Sequence, residues 1–216
     1  MNINVQHIPK DTPYNRRPGI AMVPEYLTIH STANPNSTAR NERDWLTSQS
    51  NTRTASWHLV VDDKEVIEAI PLNEVAWHAG DGKNGTGNRK SISIEICESG
   101  DREKTIKNAA KLAAKILKER GWGIERLKRH YDWSGKHCPR ILEKNNWEEW
   151  NRFKSMVAKE LQATSVSPWA KEAMEWATSP EINITDGSSP KEPITLERMI
   201  TILYRYDQLR KKRNEK

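Results

Sequence analysis

Short alternating runs and longer runs of helical period take turns along the first three quarters of the chain. Ser91–Cys97 (SISIEIC) is the clearest alternation, with Ile92, Ile94 and Ile96 separated by Ser93 and Glu95. The isoleucines should face a core. Ser91, Ser93, Glu95 and Cys97 then share the opposite face, because side chains alternate along a strand. Tyr26–His30 (YLTIH) and Trp57–Val61 (WHLVV) read as two further strands. Between them lie helical patterns. Ser37 is placed to cap a helix running to about Gln49. Glu103–Arg120 sets Ile106, Ala109, Ala110, Ala113, Ile116 and Leu117 on one stripe, and Gly121 follows as a stop. Trp147, Trp150, Val157 and Leu161 repeat at helical spacing, and Ala79–Gly87 (AGDGKNGTG) reads as an exposed loop. The predicted class is α/β (α+β): a mixed β-sheet flanked by helices, followed by a small all-helical C-terminal segment.

The boundary is expected near residue 163, giving domains 1–163 and 164–216 joined by a Thr/Ser/Val linker. In the second, Ser167 and Pro168 mark a helix start, and Trp169, Ala173, Trp176 and Ala177 form a stripe. A polar loop, Thr185–Pro193, precedes a helix opened by Thr195, with Leu196, Met199, Ile200, Leu203 and Tyr206 on one face. Two amphipathic helices in about 50 residues bury too little by themselves. They call for the first domain, a second copy of the chain, or another partner. The basic end Arg210–Lys216 reads as a solvated helix terminus.

Composition narrows the classes. The 216 residues carry 35 Lys+Arg against 29 Asp+Glu, a net charge of +6, and nine Trp, too many for a disordered chain. Two cysteines, Cys97 and Cys138, exclude a disulfide framework. No run approaches the roughly 20 apolar residues that span a bilayer. The N-terminus has no apolar stretch, so the expectation is synthesis in a cytosol without a signal peptide. The positive charge favours an anionic partner, whether nucleic acid, an acidic membrane surface or a wall polymer, without choosing among them. No nucleic-acid-binding motif is present, and basic residues are interspersed with acidic ones.

Chemistry concentrates in His130–Pro139 (HYDWSGKHCP), which Gly135 and Pro139 mark as a loop. Imidazole and thiolate suit Zn2+, and His130 and Cys138 offer one each. A third ligand must come from elsewhere. His30, at a strand end before Ser31, Thr32 and Ala33, is the best placed, while His7, His58, His78 and His137 compete. His137, adjacent to Cys138, should point away. Three protein ligands leave an open position, as catalytic zinc sites require. Glu95 has two readings: a solvent-facing acid on an edge strand, or a general base in a desolvated cleft. Lys136 is either a surface lysine or a cation that stabilises an oxyanion.

The blocks YLTIHST, ASWHLVVDDKEV, AWHAGDG, NRKSISIEICES and RHYDWSGKHCP stand in order within residues 1–160. Together they resemble the zinc-dependent N-acetylmuramoyl-L-alanine amidases of the type-2 family, found in phage and prophage endolysins and related to peptidoglycan recognition proteins. The resemblance implies Zn2+ held by His30, His130 and Cys138, with Glu95 and Lys136 catalytic. Some members carry a Tyr near the metal where this chain has Trp57, which strengthens Glu95 as the proton acceptor. Implied too is hydrolysis of the amide joining N-acetylmuramic acid to L-alanine, the ion activating water and polarising the carbonyl. Trp77, His78 and residues 80–87 would line the substrate groove. The implied partners are peptidoglycan and anionic wall polymers, not nucleic acid or a membrane interior. Action falls on the bacterial wall after release through a pore made by another protein. The segment SPWAKEAMEWA…ITDG…PITLERMITILYR resembles a single S-layer-homology-like unit. Such units work in threes, so one copy points to docking or homo-oligomer formation, to wall binding, or to a bare extension. The competing reading is a non-catalytic peptidoglycan-binding module. Cys138 argues against it, because non-catalytic relatives lose that ligand.

Overall fold

The computed structural model describes residues 2–163, 168–187 and 194–214. Six strands form one sheet: β1 (Ile3–Val5), β2 (Tyr26–Ser31), β3 (Leu59–Val61), β4 (Val66–Glu68), β5 (Ser91–Ile96) and β6 (Leu127–Arg129). Their order is β1-β4-β3-β5-β2-β6. Only β3 and β4 pair antiparallel; the other neighbours run parallel. The sheet is therefore mixed and flanked by helices, the expected class. β5 is central, between β3 and β2, so Glu95 does not sit on an edge strand. β1, β4 and β6 span three residues each, too short for a period of two to show in the sequence.

Register separates two faces. Leu27 and Ile29 pair with Ile92 and Ile94, and Leu59 and Val61 with Ile94 and Ile96. This apolar face packs under α3 (Arg102–Glu119), whose Ala109, Ala113, Ile116 and Leu117 are buried. Asp101 caps α3, accepting from Lys104 N at 3.0 Å. On the other face Thr28 pairs with Ser93 and His30 with Glu95. Thr28, Ser91, Ser93 and His58 are fully buried there. The same side carries an apolar cluster that includes Trp57, Val60, Ile67, Leu46 and Cys97. Cys97 and Cys138 are free thiols.

Helix α1 spans Ala39–Trp45, shorter than expected. Its cap is Thr38 rather than Ser37, because Thr38 and Asn41 close a reciprocal capping box. Fully buried Arg16 binds the carbonyls of Leu46 and Asn51 past its end. The glycine-rich run is less exposed than predicted. Ala79 and Gly87 are buried, and α2 (Thr86–Lys90) begins within it. Asp81 folds the run back, accepting from Gly87 N at 2.6 Å and Asn88 N at 3.2 Å. In α5 (Lys144–Ala163), Asn145, Asn146 and Trp147 have positive φ, so Trp147 leaves the helical stripe. Its ring instead receives the Arg129 guanidinium at 4.3 Å. Trp150, Phe153 and Val157 are buried.

The chain divides into two compact units, Met1–Ala158 and Lys159–Lys216, the division falling inside α5. The expected linker at 164–166, the cap Ser167 and loop residues 188–193 lie outside the described residues, as do Glu215 and Lys216. In the second unit α6 (Lys171–Thr178) and α7 (Leu196–Asn214) enclose a small core of Ala177, Ile182 and Ile184 against Ile202 and Leu209. The predicted stripes are mostly not what is buried. Trp169, Trp176, Leu196, Met199, Ile200, Leu203 and Tyr206 are exposed. So small a unit covers one face of α7, and Ile202 and Leu209 occupy it. Among the described residues no helix is long and apolar enough to cross a membrane.

Two carboxylates, one buried and one half-buried, generate predictions. Asp62, 2% exposed, accepts from Lys64 N and Glu65 N in the β3–β4 turn and from Ala39 N at the start of α1, at 2.7, 2.8 and 2.9 Å. Asp62→Ala removes the acceptor of three N–H groups, one of them buried, and should lower unfolding free energy by about 1–3 kcal/mol in urea titrations. Glu74 is held in a bidentate pair by Arg17, both contacts 2.8 Å, which lowers its pKa below the usual carboxylate value. A lowered folded-state pKa gives stability that is complete above the unfolded value and lost as pH falls through the folded one. Glu74→Gln should therefore flatten the acid side of the stability–pH curve. An unchanged slope in acid titrations followed by circular dichroism would contradict this.

Candidate metal centre

Parallel strands β2, β5 and β6 deliver their carboxyl ends to one edge, where open α/β sheets place ligand sites. His30 and Glu95 are direct partners across β2 and β5. β6 ends at Arg129, opposite Ile29, and the His130 N–H donates to the Ile29 carbonyl at 3.2 Å. His130 thus emerges beside His30 although 100 residues separate them. The segment predicted to be all loop begins with one helical turn, α4 (Tyr131–Ser134), closed by Gly135 in the left-handed region at φ +72°. The chain then doubles back, and Tyr131 N donates to the Cys138 carbonyl at 3.1 Å. Cys138 is thereby returned to the strand ends. Arg140 fixes it from the far side through a bidentate pair with Glu98, Nε to Oε1 at 2.9 Å and Nη2 to Oε2 at 2.5 Å. Glu98 Oε1 also accepts from Ala33 N at 2.9 Å, tying the segments that follow β2, β5 and Cys138 together.

The three ligand candidates converge. His30 Nδ1 lies 3.0 Å from His130 Nδ1 and 3.8 Å from Cys138 Sγ, and one atom of each residue falls within 4.8 Å of the others. Tetrahedral zinc with Zn–N near 2.0–2.1 Å and Zn–S near 2.3 Å sets these separations at about 3.3 and 3.6 Å. The donor set and spacing fit that ion. All three residues are buried. Burial, reinforced by neighbouring imidazoles and Lys136, holds His30 neutral well below its usual pKa; burial and Lys136 push His130 down to about 4. Both rings therefore offer lone pairs. Burial, then Glu95, pushes the Cys138 thiol up to about 12, so it needs a cation to ionise at neutral pH. Gly80 is required beneath the site: its φ is +68°, and a Cβ there would sit 3.3 Å from His130 Nε2.

The other histidines are placed elsewhere. His137 is exposed and pairs with Glu143, pointing away as expected. His7 pairs with Glu68, and His58 bonds Ser93 and the Glu74 carbonyl. His78 lies behind His30, its Nδ1 at 3.0 Å from His30 Nε2. A pocket of about 240 Å³ opens over the triad, lined also by Glu95, Lys136, Glu42, Trp57, Trp77 and Arg53. Glu95 is half-buried, and its Oε2 is out of solvent without a hydrogen-bond partner. Burial, then the charge of Glu42, raises its pKa to about 8 against the opposing pull of Lys136. Lys136 is exposed on the pocket wall. Sequence reasoning missed the Glu98–Arg140 clamp and Glu42. The clamp joins residues 42 positions apart with no periodic signal, and Glu42 reads as an ordinary helix-surface acid.

Three convergent candidate ligands, a carboxyl oxygen without a partner and a cation line one pocket, and the set could hold a metal ion with a position left open toward that pocket. A family model described as N-acetylmuramoyl-L-alanine amidase matches residues 20–141, more than half the chain, and the chain belongs to that family. It is similar to the N-acetylmuramoyl-L-alanine amidase XlyB of Bacillus subtilis (strain 168), 46% identical over 174 residues, 78% of this chain and 52% of the relative. Against CwlA of the same strain identity is 53% over 131 residues, 58% of this chain and 47% of the relative. The chain thus spans about half the length of these curated relatives. Among solved structures, the catalytic domain of XlyA superposes with a TM-score of 0.66 at 42% identity, over 73% of this chain and 99% of that one.

The fit to zinc predicts about one zinc per chain after dialysis. Cys138→Ser should lose the ion while keeping the native circular dichroism spectrum. Stoichiometric zinc in that variant, measured by mass spectrometry of the metal, would contradict the assignment.

Proposed function

We propose that the chain is a peptidoglycan hydrolase that cleaves the amide between N-acetylmuramic acid and the L-alanine of the stem peptide, acting on the bacterial wall as a lytic enzyme of the endolysin type. The observation that carries this is the meeting of His30, His130 and Cys138 beside Glu95 in one pocket, in a chain of the amidase family. His30, His130 and Cys138 hold Zn2+ in this reading; the bound ion supplies Lewis-acid polarisation and an acidified water.

The chain's own groups supply the rest. Glu95, on the pocket wall with one oxygen unpartnered, takes the proton from the attacking water and returns it to the leaving amine. A carboxyl raised to about 8 is a better base than an exposed one and still exchanges its proton near neutrality. Lys136 sets a positive charge beside the developing oxyanion. Trp57, Trp77 and Arg53 give the pocket apolar walls and a cationic rim suited to a glycopeptide. The net charge of +6 draws the enzyme to anionic wall polymers, an attraction that salt weakens. Residues 1–163 form the lytic part in this reading. Residues 164–216 serve attachment, by docking, self-association or wall binding, for which the exposed apolar side chains of α7 are available.

Mass spectrometry of digested peptidoglycan decides the reaction. Free L-alanine amino termini on intact glycan strands are expected; new reducing sugar ends would overturn the proposal. Glu95→Gln should lower kcat by about 10²–10⁴-fold while zinc content stays at the wild-type level. A variant with full activity would remove Glu95 from its role.

A further inference from the structure

His78 was a competing ligand by sequence, and the structure puts it one shell out. It is buried behind His30, with its backbone pinned: Asn88 Oδ1 accepts from both His78 N and Ala79 N at 2.8 Å, and Asn88 Nδ2 donates to the Gly82 carbonyl at 3.1 Å. His78 Nε2 lies 3.1 Å from the carbonyl oxygen of Ser91, and its Nδ1 lies 3.0 Å from His30 Nε2.

A carbonyl oxygen only accepts, so His78 Nε2 must carry the hydrogen. A neutral imidazole has one N–H, which leaves His78 Nδ1 as an acceptor. His30 Nε2 must then donate to it. The remaining His30 nitrogen, Nδ1, holds a lone pair, and this is the atom that faces His130 Nδ1 and Cys138 Sγ. The polar partners of the two rings are imidazole, thiol and a backbone carbonyl, with no carboxylate among them to call for a second ring proton. We propose that His78 is a positioning residue that reads the polarity of the Ser91 carbonyl and passes it through its own ring, fixing His30 as the tautomer whose Nδ1 is free to bind the metal.

Metal-bound histidines ordinarily donate their second N–H to a carboxylate, a carbonyl or water. Here the acceptor is another imidazole, which could donate or accept at that atom. Its polarity is decided one step further back, by the first residue of β5. The same strand thus supplies Glu95 to the pocket and, through His78, orients the ligand on β2.

The inference rests on the zinc reading above, and its test separates the two. Zinc affinity is measured on the full chain by competition with a chromophoric chelator, for wild type, His78→Phe and His78→Asn. Phe keeps the size and planarity of the ring but accepts no hydrogen bond. Asn is smaller, and its carboxamide oxygen stands where Nδ1 stood. His78→Phe should bind zinc about 10–100-fold more weakly, and His78→Asn should stay within a few-fold of wild type. A packing role alone gives the opposite order. Nitrogen-15 spectra of the histidine rings give a second readout on the wild-type protein, with and without zinc. His30 and His78 should each be protonated at Nε2 in both states. A proton on Nδ1 of either ring, or wild-type affinity in a folded His78→Phe, overturns the inference. A wild-type chain that binds no zinc overturns the metal reading instead.

Discussion

The central parallel strands of this protein carry polar side chains on a face that is buried, and the rest of the site follows from satisfying them. Thr28, His30, Ser91, Ser93 and Glu95 line up across β2 and β5. A buried polar group without a partner costs about 1–3 kcal/mol, so such a row persists only if the surrounding segments bring partners to it. They do. Thr28 and Ser91 bond each other through their hydroxyls, Trp133 Nε1 donates to Thr28 Oγ1 at 2.8 Å, and Ser93 Oγ meets His58 Nδ1 at 2.9 Å. The partners come from the β3 entry, the loop ahead of α2 and the turn after β6. Those segments are thereby fixed over the strand ends where the chemistry sits.

Two side chains of the row turn toward the candidate site. His30 offers its Nδ1 to the cluster with His130 and Cys138, and Glu95 keeps one oxygen out of water with no hydrogen bond. The surroundings bias each toward a role. Apolar burial keeps the imidazoles neutral and the carboxyl protonated longer than in water, while Lys136 opposes the latter from the pocket wall. Glu98 and Arg140 do a different job. Burial disfavours the Glu98 charge, yet Arg140 and the Ala33 N–H outweigh it and its pKa is lowered. The pair stays ionised and holds the Cys138 segment in register with β5.

The second unit obeys a different balance. With Ala177, Ile182, Ile184, Ile202 and Leu209 as its core, it buries few side chains for its length. Large apolar residues on α7 stay exposed. Amphipathic periodicity located its helices but misassigned their buried faces. In a two-helix unit the inward face is set by where the connecting segment lands, and Ile182 and Ile184 of that segment meet Ile202 and Leu209 rather than Leu196 or Leu203.

The sequence by itself determined the alternation of β5, the stripe and stop of α3 and, through five ordered blocks, the family. It also supplied the ligand types, because imidazole, thiolate and carboxylate are chemical facts legible in any order. It could not determine that β5 is central, that Glu95 has a dry oxygen, or that His78 stands behind His30 rather than in the cluster with His130 and Cys138. Those depend on strand order and register, which bring residues 30, 78, 95, 130 and 138 to one sheet edge. Pairing between strands far apart in the chain leaves no local period to read, so tertiary structure alone decided which side chains share a pocket and which only support it.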